Sequence, residues 1–339
     1  MTPDDSHGWW PEDAPRVRPL SYPGRWLEHS VLLAGHMHHP LHLLPGRRLG
    51  QARVAVGDPA IDEVPLDDAL ERLDAPRPAN RAPVLAVGSN AAPSQLRLKF
   101  QGSQRLASDT AGGGGGVVGG LANPGAPLVT PMVLAEVEGL ASGIAGMVSR
   151  PGYLPATPVV GRHLRSRLFV QWLDARQLAT LDATEPGYRR VLLPAGDPAE
   201  RGVRITLPSG EVLGACYAYV AARGHLLVDG DGGPTLLGDQ RELLTRLLGA
   251  SRRLRSELGT TADSWVERIT LPGKLDTVNE ILRAEGWIGR DPWLDRLAVE
   301  QDAPCGGVAP EAAVDPATVS GARMRTYGEI LPAAPLAYA

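Results

Sequence analysis

The sequence predicts an α+β fold, a mixed sheet flanked by helices, and three observations point to it. From residue 83 to 222, short apolar runs alternate with clusters of Gly, Pro, Ser and Asp, the pattern of strands separated by turns. That region opens with an apolar run at 84–87, a tight Gly88-Ser89-Asn90 loop and a helical stretch begun by Pro93. Beyond it, residues 238–258 and 274–300 read as helices, with Leu243, Leu244, Leu247 and Leu248 on one apolar face. The organisation is an N-terminal extension over 1–80, a central domain over 82–222, a helical extension over 234–300 and an irregular tail over 301–339 rich in Ala, Pro and Gly.

In the extension the clearest pattern is 65–73, where Leu66, Leu70 and Leu73 recur at helical spacing behind Asp67 and Asp68. Three prolines make 74–83 a linker. After the Pro93 helix, with Leu96, Leu98 and Phe100, a five-glycine run at 112–116 predicts a mobile loop. Its Gly114, Gly116 and Gly119 match a dinucleotide fingerprint, but a glycine run matches almost automatically and no strand leads into it, so no nucleotide is expected. Strands are predicted at 129–137, 143–148, 167–173, 190–193, 203–207 and 211–220, the last two flanking a Pro208-Ser209-Gly210 hairpin turn. Asp174 and Gln177 have capping-box chemistry for a short helix with Leu178 and Leu181, ended by Pro186 and Gly187.

Composition sets outer bounds. With 43% apolar and 21% charged residues, the chain can bury a core, and its two Phe mean that this core rests on Leu, Val, Ala and the seven Trp. A formal charge of −4 without a concentrated basic surface argues against a nucleic-acid partner. The densest basic run, Arg252-Arg253-Leu254-Arg255, is expected late in a helix, where it complements the dipole. No apolar run reaches the length of a membrane span, and the N-terminal residues lack the basic-then-apolar order of a secretion signal, so the reading is cytosolic with no membrane partner. Cys216 and Cys305 are too few for a disulfide framework or a zinc knuckle, and Cys216 reads as a small buried hydrophobe.

Two motifs have chemical potential. A glycine between strand and helix lets backbone N–H groups approach a carboxylate or oxyanion near a helix N-terminus, although the motif taken alone favours a tight turn with Asn90 capping the helix. Asp182 and Glu185 lie three residues apart and on a helix would share a face, each raising the other's proton affinity; a solvated helix end is the alternative. Arg97 and Lys99 could meet a carboxylate or line a solvated helix face. Tyr217 and Tyr219 share one strand face, as core or pocket lining. His36, His38, His39 and His42 could bind zinc or nickel or shape a site mouth, but they lack a recognised ligand spacing, and no metal is assigned.

Together, Val87-Gly88-Ser89-Asn90 after an apolar strand and Leu181-Asp182-x-x-Glu185, with Tyr188 and Arg189 close behind, resemble the γ-glutamylcyclotransferase-like family. Its corresponding motifs read Tyr-Gly-Ser-Asn and Leu-Asp-x-x-Glu-Gly, and a late Ala-Cys-Tyr-Ala-Tyr strand at 215–219 agrees in order. The resemblance covers about residues 82–222 and departs at Val87, at Pro186 and loosely across 112–160.

The resemblance implies a small mixed β-barrel and a reaction without water. The α-amino group of a γ-glutamyl amide attacks its own γ-carbonyl, giving 5-oxoproline and a free amine. Glu185 would be the acid/base, with Val87, Gly88, Ser89, Asn90 and Tyr188 contacting a small γ-glutamyl substrate and no cofactor required. The composition resembles that of a high-GC bacterium, and some family members remove γ-glutamyl protecting groups in natural-product pathways. The alternative is a non-catalytic module of the same fold that binds a small ligand or a partner protein, a reading favoured by the missing loop Tyr.

Overall fold

A computed structural model describes residues 10–35, 37–56, 62–108, 128–200, 202–228, 232–300 and 324–330. The glycine run at 112–116, His36 and Cys305 lie outside the described residues. The fold is mixed α/β around a ten-stranded sheet.

The N-terminal region contributes four strands that sequence periodicity did not reveal: β1 (Val31–Ala34), β2 (Met37–His42), β3 (Arg53–Val56) and β4 (Asp62–Pro65). They are too short to show a period, and β1 is buried throughout, so no alternation marks it. The helix α1 (Leu66–Arg72) follows as expected, with Asp67 and Asp68 in its first turn. β1 pairs antiparallel with β6 (Val129–Ile144), so the extension is part of the main sheet.

The strand order is β4-β3-β2-β1-β6-β7-β5-β10-β8, where β5 is Ala82–Ala86, β7 Ala156–Leu173, β8 Tyr188–Pro194 and β10 Ala215–Ala221. β5 and β10 run parallel, with Val84 opposite Tyr217, and the other pairs are antiparallel. β9 (Arg204–Thr206) pairs β6. β8 and β9 meet only through the bridge Ala195–Val203, so no continuous ladder closes a barrel among the described residues.

Three expectations change. The strands predicted at 129–137 and 143–148 are largely one, β6, because Gly139, at φ +83°, makes a bulge that bends the ladder without ending it. A side chain there would sit 2.3 Å from Gly202 O. The 208–210 turn forms, but its flanks share a single bridge, Thr206–Val212, because β9 turns to β6 and β10 to β5 and β8. The basic run begins a helix, because Ser251 ends α4 (Gln240–Ala250) and caps α5 (Arg252–Leu258) by accepting from Leu254 N.

The helices beyond the sheet form a second core around Trp265, Leu244, Leu254 and Val278, into which Ile144, Val148 and Leu154 insert. These helices include α6 (Ala262–Ile269) and α7 (Lys274–Ala284), whereas α8 (Pro292–Glu300) packs Leu294 and Ala298 into the main core. They grip the loop after β6: Trp265 Nε1 donates to Gly152 O, Gln240 bonds both backbone groups of Leu154, and Asn279 accepts from Val148 N. The tail is not wholly irregular. Its segment 324–330 holds the short α9 (Tyr327–Ile330), and the buried Tyr327 donates to Glu211 Oε2 at 2.6 Å. No helix among the described residues is long and apolar enough to cross a membrane.

Arg81 is fully buried at the start of β5. Its Nε donates to Pro76 O at 2.6 Å, and its NH1 donates to Val129 O, Trp172 O and Gln177 Oε1 at 2.9–3.0 Å. Burial lowers its pKa to about 10, so it stays charged at neutral pH. Replacing Arg81 with Met keeps the bulk and removes the donors. The expected loss is about 3 kcal/mol or more of unfolding free energy, read as a lower urea midpoint at unchanged slope.

Candidate active site

The two motifs come together in one place. Asn90 Nδ2 donates to Glu185 Oε1 at 3.1 Å, across ninety-five residues of sequence. Val87, Gly88, Ser89, Asn90, Glu185 and Tyr188 all line one cavity of about 540 Å³, a volume suited to a small molecule.

Each side of this meeting has a local cause. β5 delivers the loop at its C-terminal end, and a short 3-10 turn, Ser89–Ala91, leads into α2 (Pro93–Ser108). Gln171 on β7 donates to Asn90 O at 2.5 Å and ties the loop to the sheet. On the other side, Asp174 and Gln177 form the capping box of α3 (Ala175–Ala183). Gln177 is the residue that Arg81 holds. α3 ends at Thr184, so Glu185 lies in the following turn, where Tyr188 N donates to Glu185 O.

That early stop corrects the expectation that Asp182 and Glu185 share a helix face. Asp182 Oδ1 accepts from Arg190 Nε at 2.9 Å and from Tyr219 at 2.8 Å. Glu185 Oε1 faces Lys99 Nζ at 2.5 Å, and Lys99 also donates to Asn90 Oδ1 at 2.7 Å. Each acid therefore has its own cation, and only Glu185 lines the cavity.

Lys99 and Arg97 are buried rather than on a solvated face. Lys99 lies three positions after Leu96, so helical spacing alone puts it beside the core-facing Leu96 and Phe100; that signal was in the sequence. Arg97 Nε donates to Gly35 O at 3.2 Å, and burial lowers its pKa to about 10. Asn90 spends its side chain on Lys99 and Glu185 rather than on capping α2. Tyr188 donates to Ala156 O at 2.9 Å, not to Glu185. Tyr219 lines the cavity, while Tyr217 lies under the Arg190 guanidinium at 4.9 Å. Cys216 is fully buried in the core, and burial pushes its thiol pKa up.

Two further wall residues were not anticipated. Tyr22, in the N-terminal region, and Tyr153, in the loop after β6, stack at 4.4 Å between ring centroids. Burial pushes the phenols of Tyr22, Tyr153 and Tyr188 up, Tyr153 to about 12, and the Glu185 charge adds to each shift. All three are neutral hydroxyls at physiological pH. The space beside Gly88, expected to admit a ligand, is taken by Tyr22. A Cβ on Gly88 would lie 2.4 Å from the Tyr22 hydroxyl oxygen and 2.9 Å from Ala156 Cβ.

Among the described residues no three His, Cys, Asp or Glu side chains converge as metal ligands. His38, His39 and His42 lie on β2, off the cavity wall, and His42 pairs with Glu63 at 2.6 Å.

Comparison of the chain with family models, with curated proteins and with solved structures returns no match.

Because Gly88 is wedged between Tyr22 and Ala156, Gly88→Ala is expected to cost about 1–3 kcal/mol of stability by overpacking. It should also displace the loop; urea unfolding and the chemical shift of the Gly88-adjacent Asn90 side-chain amide measure the two effects.

Proposed function

We propose that this chain is a γ-glutamylcyclotransferase-like enzyme, cleaving a γ-glutamyl amide to 5-oxoproline and an amine. The observation that supports it best is the direct hydrogen bond between Asn90 of the loop and Glu185 on the wall of one cavity. On this reading the curl of β6, β7, β5, β10 and β8, with β9 returning to β6, corresponds to the family's small barrel.

The chemistry follows from the hydrogen-bond pattern. Lys99 and Asn90 both bind Oε1 of Glu185, which fixes the carboxylate plane. Oε2 is the atom that takes a proton from the substrate α-ammonium. The freed amine attacks the γ-carbonyl carbon, the five-membered ring closes, and the carbonyl oxygen gains charge. Glu185 then returns the proton to the leaving nitrogen as the C–N bond breaks, and the ring nitrogen, left with an extra proton by its attack, releases that proton to solvent as the lactam forms. Because nucleophile and electrophile belong to one molecule, holding the γ-glutamyl chain folded supplies much of the rate. Arg16 and Arg150, both exposed at the cavity wall, complement the substrate α-carboxylate.

A second reading, a binding module of the same fold, draws on the Lys99–Glu185 pair, since a carboxylate already matched by a buried ammonium can hold a site together without moving protons.

Glu185→Gln separates the two. It keeps the shape and removes the base, so 5-oxoproline release from a panel of γ-glutamyl amines should fall by about 10²–10⁴-fold, with calorimetric binding retained. Equal turnover in variant and parent would dismiss Glu185 as the base. A parent that binds γ-glutamyl compounds without releasing 5-oxoproline would favour the binding module.

A further inference from the structure

Tyr22, in the N-terminal region, packs directly against the loop. It is 5% exposed, stacked on Tyr153, and its hydroxyl lies against Gly88. The hydroxyl oxygen accepts Ala156 N–H at 2.6 Å, an interaction that uses a lone pair. The phenol's own proton has no acceptor among the described residues, and the adjacent carbonyl, Ala156 O, already receives Tyr188. A buried donor without an acceptor is costly and uncommon in folded proteins. This one lines the cavity beside the loop, where a ligand oxygen would complete it.

We propose that Tyr22 donates a hydrogen bond to the carbonyl oxygen of the bound γ-glutamyl group, so that the N-terminal segment supplies a working part of the site. The inference rests on the cyclotransferase reading. Attack by the α-amine turns that carbonyl oxygen into an oxyanion, and a fixed neutral donor strengthens its bond as the charge develops. The phenol keeps its proton throughout. Val87, buried on the loop, has no polar side-chain atom to offer, so the side-chain donor at this corner comes from a distant stretch of chain. Stacking on Tyr153 holds the ring, which leaves the hydroxyl little orientational freedom to lose on binding.

The test uses the full chain, γ-glutamyl amides as substrates, and two kinds of change at one position. Tyr22→Phe keeps the stacked ring and deletes the donor; kcat should fall by about 10²–10³-fold, with a smaller change in KM. Tyr22→Phe also removes the acceptor of Ala156 N–H, so a second series replaces Tyr22 with ring-fluorinated tyrosines of graded acidity. These keep the oxygen, and kcat should change progressively with phenol acidity while the urea midpoint stays constant; a purely structural role would not produce that trend. Should the parent bind a γ-glutamyl amide without turning it over, its calorimetric Kd should weaken at least tenfold in Tyr22→Phe. A Tyr22→Phe enzyme within about twofold of the parent in kcat and Kd, or a flat fluorotyrosine series, overturns the proposal and leaves the cyclotransferase reading intact. A parent that neither binds nor cleaves any γ-glutamyl compound overturns both, and shows it before any variant is made.

Discussion

The buried guanidinium of Arg81 is the constraint on which the arrangement depends. It sits at the N-terminal end of β5, whose other end carries the Gly88–Asn90 loop. Its bonds reach β6 through Val129, β7 through Trp172, and α3 through Gln177. α3 in turn leads directly to Glu185. One charged group, satisfied by carbonyls and an amide oxygen, therefore fixes the start of both elements whose far ends meet at the cavity. Its own backbone oxygen accepts Tyr327 N–H, which seats the C-terminal segment against the same point. Such a buried cation is tolerated because its Nε and NH1 donors find partners, although its NH2 has none among the described residues.

The cavity is built by all three sequence regions. The N-terminal segment provides Arg16 and Tyr22, and the central sheet provides the loop and the Glu185 turn. The third wall, around 147–155, belongs by sequence to the centre but is held from outside by Trp265, Gln240 and Asn279 of the C-terminal helices. A shape assembled this way answers to changes far from its lining, because a wall residue such as Tyr153 is positioned by a core it does not belong to.

The electrostatics divide labour between two neighbouring carboxylates. Asp182 is consumed by Arg190 and Tyr219, a pairing that anchors α3 to β8 and β10. Glu185 shares Oε1 with Lys99 and Asn90 and lines the cavity. Three neutral phenols surround it, and they contribute dipoles rather than charge. The result is an ion-paired carboxylate in a wall that mixes phenols with apolar and polar side chains, beside two exposed arginines.

Local chemistry was legible in the sequence wherever it acts over a few residues. The Asp174–Gln177 capping box, the α1 leucines, the Pro93 start of α2 and the strand–loop–helix unit around Gly88 all depend on contacts within one or two turns, and all are present. The short strands β1–β4 have too few residues to display a clear period, and the strand order, the β9–β6 pairing and the docking of Tyr327 depend on partners distant in sequence. The same division runs through the site. Sequence marked Gly88, Asn90 and Glu185, because each belongs to a compact motif. Only tertiary structure decided that Lys99 faces Glu185, that Asp182 does not, and that Tyr22 occupies the space beside Gly88. Those outcomes turn on which buried charge and which buried hydroxyl find a partner once the chain is packed, and residues up to 134 positions apart settle that question together.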